Sequence, residues 1–131
     1  MIALDTNVIV RFLVRDDPAQ ARRAKALVDR LTEREERAYV SDIVLCELVW
    51  VLTRTYRFER AQVVTAIDAL VRAKQLRFGS VDNVLRALSA FERGKGDFAD
   101  CLVREHARAA ECDAVMTFDE KLLEEELFVA P

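Results

Sequence analysis

Five carboxylates stand where they could do chemistry. Ile2-Ala3-Leu4 is a short apolar run that ends at Asp5, and Val115-Met116-Thr117-Phe118 leads into Asp119. In an open α/β sheet, ligands bind beyond the carboxyl ends of the strands, so strand-end acids are candidates. Each also reads as a helix N-cap. Glu47 lies within Ile43-Val44-Leu45-Cys46 and Leu48-Val49-Trp50-Val51-Leu52. A helix apolar on nearly every side is expected to be buried, and a carboxylate inside it must be paired, protonated or on a metal. The other reading is a solvent-facing stripe one residue wide. Asp97 and Asp100 share a helix face at i and i+3, just after Gly94-Lys95-Gly96. They also suit the N-cap and third position of a helix.

If these acids converge, their repulsion must be cancelled. Two like charges at ~4 Å cost ~1 kcal/mol in water and about four times that near a protein surface. A divalent cation is the simplest remedy. All-oxygen ligands favour Mg²⁺ or Mn²⁺ over zinc, and Mg²⁺ keeps waters that can become nucleophiles. Such a site suits phosphodiester hydrolysis by a metal-activated water. The chain has 1 His, so neither a histidine acid–base pair nor a histidine-built zinc site is available. His106 falls in a helix and reads as structural.

Composition agrees with a single globular domain over 1–131, with 52% apolar and 33% charged residues. Only 3 Gly and 2 Pro argue against a many-turned β-sandwich. The net charge of −3 divides into +1 for residues 1–66 and −4 for 67–131, so no general attraction to nucleic acid is expected. Cys46, Cys101 and Cys112 form no C-x-x-C and read as buried, reduced thiols of a cytoplasmic protein. The start of the chain has no signal-peptide pattern, and no uncharged run approaches the ~20 residues of a membrane span.

The elements that must position the acids follow from periodicity and caps. Strands are expected at 2–4, 38–40, 76–78, 113–117 and 127–129. Helices are expected at 8–14, 18–34, 41–55, 59–74, 82–93 and 97–111, with a helical turn at 119–123. Asp17 caps the second helix ahead of Pro18, and Ser41-Asp42 caps the third. Glu124-Glu125-Glu126 reads as a solvated face or loop. Short apolar strands separated by helices imply an α/β class: a three-layer α/β/α sandwich with a short parallel sheet of about five strands.

At Leu4-Asp5-Thr6-Asn7-Val8, Val44-Leu45-Cys46-Glu47-Leu48, Asp97-Phe98-Ala99-Asp100 and Val115-Met116-Thr117-Phe118-Asp119, the sequence resembles the acidic motifs of PIN-domain nucleases. It is most similar to the VapC toxins of VapBC toxin–antitoxin pairs. The resemblance runs along the whole chain, in order and at family-like spacing. It implies a PIN-like fold and a Mg²⁺- or Mn²⁺-dependent endoribonuclease that cuts single-stranded or loop RNA. Asp5, Glu47 and Asp100 match the principal acids, Asp119 a more variable fourth, and Asp97 an extra acid of one subgroup. Thr6, Asn7 and Thr117 match polar positions that orient the acids. A homodimer and a VapB-like antitoxin lying across the active-site groove are implied as well. Trp50 and the apolar third and fourth helices are candidates for the dimer face. Arg11 and Arg15, one turn apart, are candidate RNA or antitoxin contacts, or a solvated helix face.

Three other functions fit parts of this pattern. A phosphatase or receiver domain with Asp5 as nucleophile leaves Glu47, Asp97 and Asp100 unexplained. A non-catalytic α/β interaction domain leaves the acidic motifs without a purpose. A PIN domain of RNA processing differs only in context.

Overall fold

The computed structural model describes residues 1–131, which form two compact units, Met1–Gly79 and Ser80–Pro131. The first contains β1 (Ile2–Ala3), α1 (Thr6–Leu13), α2 (Pro18–Glu33), β2 (Ala38–Val40), α3 (Asp42–Arg54), α4 (Arg60–Arg72) and β3 (Leu76–Phe78). Its sheet runs β1-β2-β3, all parallel, with Ile2 opposite Ala38, Ala38 opposite Leu76 and Val40 opposite Phe78. Parallel pairing follows because a helix pair separates each strand from the next, and that crossover returns the chain to the same edge. The core of this unit includes Ile9, Val10, Leu31, Val40, Leu45, Leu48, Leu52, Val63 and Ile67.

Local caps set the helix starts. Asp17 accepts the Gln20 N–H at 3.0 Å with Pro18 as the first helical residue, and Ser41 accepts the Val44 N–H at 3.1 Å. Glu59 and Gln62 form a reciprocal capping box on α4. Helix ends are less regular, because glycine is scarce. Glu35 after α2 and Arg57 after α3 take left-handed φ of 54° and 59°.

The second unit contains α5 (Val81–Arg93), α6 (Phe98–Ala109), β4 (Val115–Met116), a short 3₁₀ turn at Glu120–Leu122 and β5 (Phe128–Val129). Helices α5 and α6 pack on Val84, Leu88, Phe91, Phe98 and Leu102. The Phe91 and Phe98 rings meet edge to face, with centroids 6.2 Å apart. β4 and β5 pair in parallel, Val115 opposite Phe128.

The expected α/β class and element order hold, and all five strands are present, each paired in parallel within its own unit. Their hydrogen bonds are divided, three strands in the first unit and two in the second. Several expectations are corrected. The apolar run of β1 is only partly covered: β1 lies at the edge of its three-stranded sheet, and Ile2 is 47% exposed. Helix α1 starts at Thr6 rather than Val8, because Asp5 is the cap. It ends at Leu13, so Arg15 lies beyond the helix and not one turn from Arg11 on its face. Helix α6 stops at Ala109 and β5 begins at Phe128, because Glu111 (φ 59°) and Leu127 (φ 75°) leave helical and strand geometry. No helix is long and apolar enough to cross a membrane.

Candidate active site

In the first unit, Asp5 follows directly on β1. The Leu4 N–H still bonds to the Tyr39 carbonyl at 2.9 Å, while the Asp5 carboxylate turns to accept the Thr6 N–H at 2.7 Å. Asp5 is exposed, so capping leaves one oxygen open for a ligand. Glu47 projects from α3, where the sequence suggested burial. The structure corrects this. Ile43, Glu47 and Trp50, at i, i+4 and i+7, form an exposed stripe, with Ile43 73% and Trp50 60% exposed. The apolar flanks Leu45, Leu48, Val49 and Leu52 cover the buried side of the same helix. What holds Glu47 is a single strong bond: the buried Thr6 hydroxyl donates to its Oε2 at 2.6 Å. The residue after Asp5 therefore fixes Glu47, 41 positions away.

Asn7 is exposed and lines a groove of about 590 Å³ between α1 and α2, together with Arg11, Gln20, Arg23 and Arg30. Arg11 is already committed. Its Nε donates to Gln20 at 2.7 Å, and its Nη1 donates to Asp16 at 2.8 Å and Tyr56 at 3.2 Å. Tyr56 in turn donates to Asp16 at 2.8 Å; this bond and the Arg11 charge hold the Asp16 carboxyl below its ordinary range. Sequence reasoning did not foresee that network. Arg15 is exposed.

In the second unit, Asp97 and Asp100 cap each other: Asp97 Oδ1 accepts the Asp100 N–H at 2.9 Å, and Asp100 Oδ2 accepts the Asp97 N–H at 3.1 Å. The cap reading and the paired-carboxylate reading thus describe one arrangement. Burial raises the Asp100 carboxyl above its ordinary value, and the neighbouring Asp97 charge adds to the rise; the bond from the Asp97 backbone and the Lys121 charge oppose it. Gly96 lets this loop approach closely, since a Cβ there would stand 2.8 Å from Leu122 Cδ2. Asp119 caps the 3₁₀ turn through the Lys121 N–H at 3.2 Å. The Thr117 hydroxyl accepts the Asp119 N–H at 3.0 Å and so orients that corner.

The thiols and the acidic run also depart from expectation. Only Cys101 is buried, and burial pushes its thiol up to about 11; Cys46 is half-buried and Cys112 exposed, because Cys112 lies in the turn after α6. Glu124, Glu125 and Glu126 are not a free solvated run. Glu124 pairs with Lys95, Glu125 accepts the Lys95 N–H at 3.0 Å, and Glu126 pairs with Arg108 at 3.1 Å. Beneath them lie Arg104 and Glu105, both buried and 3.8 Å apart, with the Arg104 guanidinium over the Phe128 ring. One signal was readable in advance: Glu105 continues the buried stripe of Phe98, Cys101 and Leu102 at helical spacing. His106 is on the exposed side of α6.

The family described as PIN domain matches residues 2–125, nearly the whole chain. The chain belongs to the PIN domain family. All five acids fall inside the match. The chain is also similar to a VapC ribonuclease of Aquifex aeolicus (strain VF5), 23% identical over 118 residues that cover 90% of this chain and 87% of that one. A PIN domain with this donor set suits a hard dication in chemical type, since carboxylate and hydroxyl oxygens are its only candidate ligands. Within the two units the acids stand singly or in pairs, and no group of three or more His, Cys, Asp or Glu forms a metal-ligating cluster.

Proposed function

We propose that this PIN domain is a Mg²⁺- or Mn²⁺-dependent endoribonuclease that acts as the toxin of a toxin–antitoxin pair, with single-stranded or loop RNA as substrate. The family match over residues 2–125 carries the reading, and similarity to a VapC ribonuclease supports the toxin context. Asp5, Glu47, Asp97, Asp100 and Asp119 are the proposed metal-binding and catalytic carboxylates, acting in one domain that spans the chain. When bound, the dication supplies Lewis-acid polarisation of the phosphoryl oxygen and a more acidic water.

The chain's own residues prepare that chemistry. Thr6 holds one oxygen of Glu47 at 2.6 Å, which fixes the carboxylate's rotamer and leaves the other oxygen open. Asp5, spending one oxygen on its cap, presents the second. The reciprocal cap sets Asp97 and Asp100 side by side, where both carboxylates could hold one cation. Thr117 orients the Asp119 backbone.

The proposal includes a cytoplasmic location, a VapB-like antitoxin and a homodimer; the exposed Ile43 and Trp50 on α3 offer an apolar face for the last. The test is cleavage of a single-stranded RNA with Mg²⁺, with Mn²⁺, with EDTA, and by Asp5→Asn. Loss of activity in EDTA and a fall of about a hundredfold in the variant are expected for a lost metal ligand. Full activity in EDTA, or an unimpaired variant, refutes the reading.

A further inference from the structure

The groove between α1 and α2 has a one-sided chemistry. Its charged lining residues are Arg11, Arg23 and Arg30, and no Asp or Glu lines it. Arg11 is taken up by Asp16, Tyr56 and Gln20 and closes one part of the wall. Arg23 and Arg30 are different: both are exposed and neither forms an ion pair, although Asp29 stands next to Arg30 in sequence. Asp29 is held by Lys25 at 2.8 Å on another side of α2. Arg23 and Arg30 lie seven residues apart, two helical turns on the same face, so about 10 Å of helix axis separates them. Ala24, Ala26 and Leu27 keep the floor low and uncharged. At its α1 side the groove reaches Asn7, two residues from Asp5.

We propose that Arg23 and Arg30 bind successive parts of the RNA phosphate backbone, so that the α1–α2 groove leads the strand toward Asp5. The inference rests on the ribonuclease reading and names the residues that would seat its substrate. Guanidiniums without carboxylate partners, spaced along a shallow uncharged floor, fit a chain of phosphates. An isolated anion would need one of them; a strand can use both. The overall charge of −3 makes this localisation matter, because the protein as a whole does not attract RNA.

The test is anisotropy of a fluorescein-labelled single-stranded RNA with the full chain in EDTA, which prevents cleavage, across a range of KCl. Arg23→Gln/Arg30→Gln removes two contacts. The slope of log affinity against log salt is expected to fall by about 1.4, so raising salt from about 50 to 200 mM costs the variant about 7-fold less affinity than it costs the wild type. Arg22→Gln/Arg37→Gln removes the same charge from exposed positions outside the groove and is expected to leave most of the slope in place. Equal slopes for wild type and the groove variant overturn the proposal and assign these arginines to another anionic partner, such as an acidic peptide. An equal loss in both double variants also overturns it, because general charge then explains the binding. Failure of the parent reading looks different: the wild type then neither binds nor cleaves the RNA.

Discussion

The bond from Thr6 to Glu47 offers a direct test of how this chain fixes a proposed catalytic acid. Thr6→Val keeps the shape of the side chain and removes only the donor. The bond is short, 2.6 Å, and its acceptor is a carboxylate, so its net contribution would lie at about 1.5–3 kcal/mol if both ends were buried. The two ends differ, however. Thr6 is 7% exposed whereas Glu47 is exposed, so water rehydrates the freed carboxylate and offsets part of the loss. The expected net cost is about 1 kcal/mol, a fall of roughly 4 °C in Tm for a chain of this size. A double-mutant cycle with Glu47→Ala, which removes the acceptor altogether, read by urea unfolding without metal, isolates the pair. A coupling energy near 1 kcal/mol is expected, and one within about 0.3 kcal/mol of zero refutes the reasoning. Cleavage by Thr6→Val should fall about tenfold, as for other lost supports of a metal ligand.

Two further variants probe the second unit. Arg104→Met leaves Glu105, 5% exposed, with only Arg108 at 3.6 Å; an unfolding cost of about 3 kcal/mol is expected, largely recovered by adding Glu105→Gln. No recovery would show that the two buried charges do not depend on one another. Asp100→Asn tests the crowded acids through pH. Because the Asp100 carboxyl is raised in the folded state, folding takes up its proton, and the ionised form opposes folding above the folded pKa. That penalty fades as pH falls through the folded value and is gone below the unfolded value of 3.8. Asparagine keeps an oxygen for the Asp97 N–H, so the variant should melt higher than wild type at neutral pH without metal. The two melting curves should merge in acid; a variant that melts lower at neutral pH refutes this account.

Local signals were legible wherever their cause is local. Asp17 with Pro18, Ser41, and the Asp97–Asp100 pair satisfy N–H groups only two or three residues away, and each cap forms as expected. The candidate acids were legible for a related reason: strand ends and helix starts are where a parallel α/β chain exposes its side chains. Glu47 was chosen for a wrong physical reason. Its neighbours are apolar, but the helix turns Ile43, Glu47 and Trp50 to one exposed side. A hydrophobic run of ten residues does not say whether a helix is covered all round.

By itself, then, the sequence determined the element order, the parallel α/β class and the five candidate acids, because these rest on periodicity, caps and residue type. Partnership was decided by the tertiary structure alone. Thr6 meets Glu47 across 41 residues, Arg11 is withdrawn into a network with Tyr56, and Glu124 and Glu126 become counter-ions for Lys95 and Arg108. Such pairings depend on which helix faces a fold brings together, and spacing along one chain carries no information about that. The same holds for Arg23 and Arg30, two ordinary arginines of a surface helix until α1 packs beside them and makes a groove.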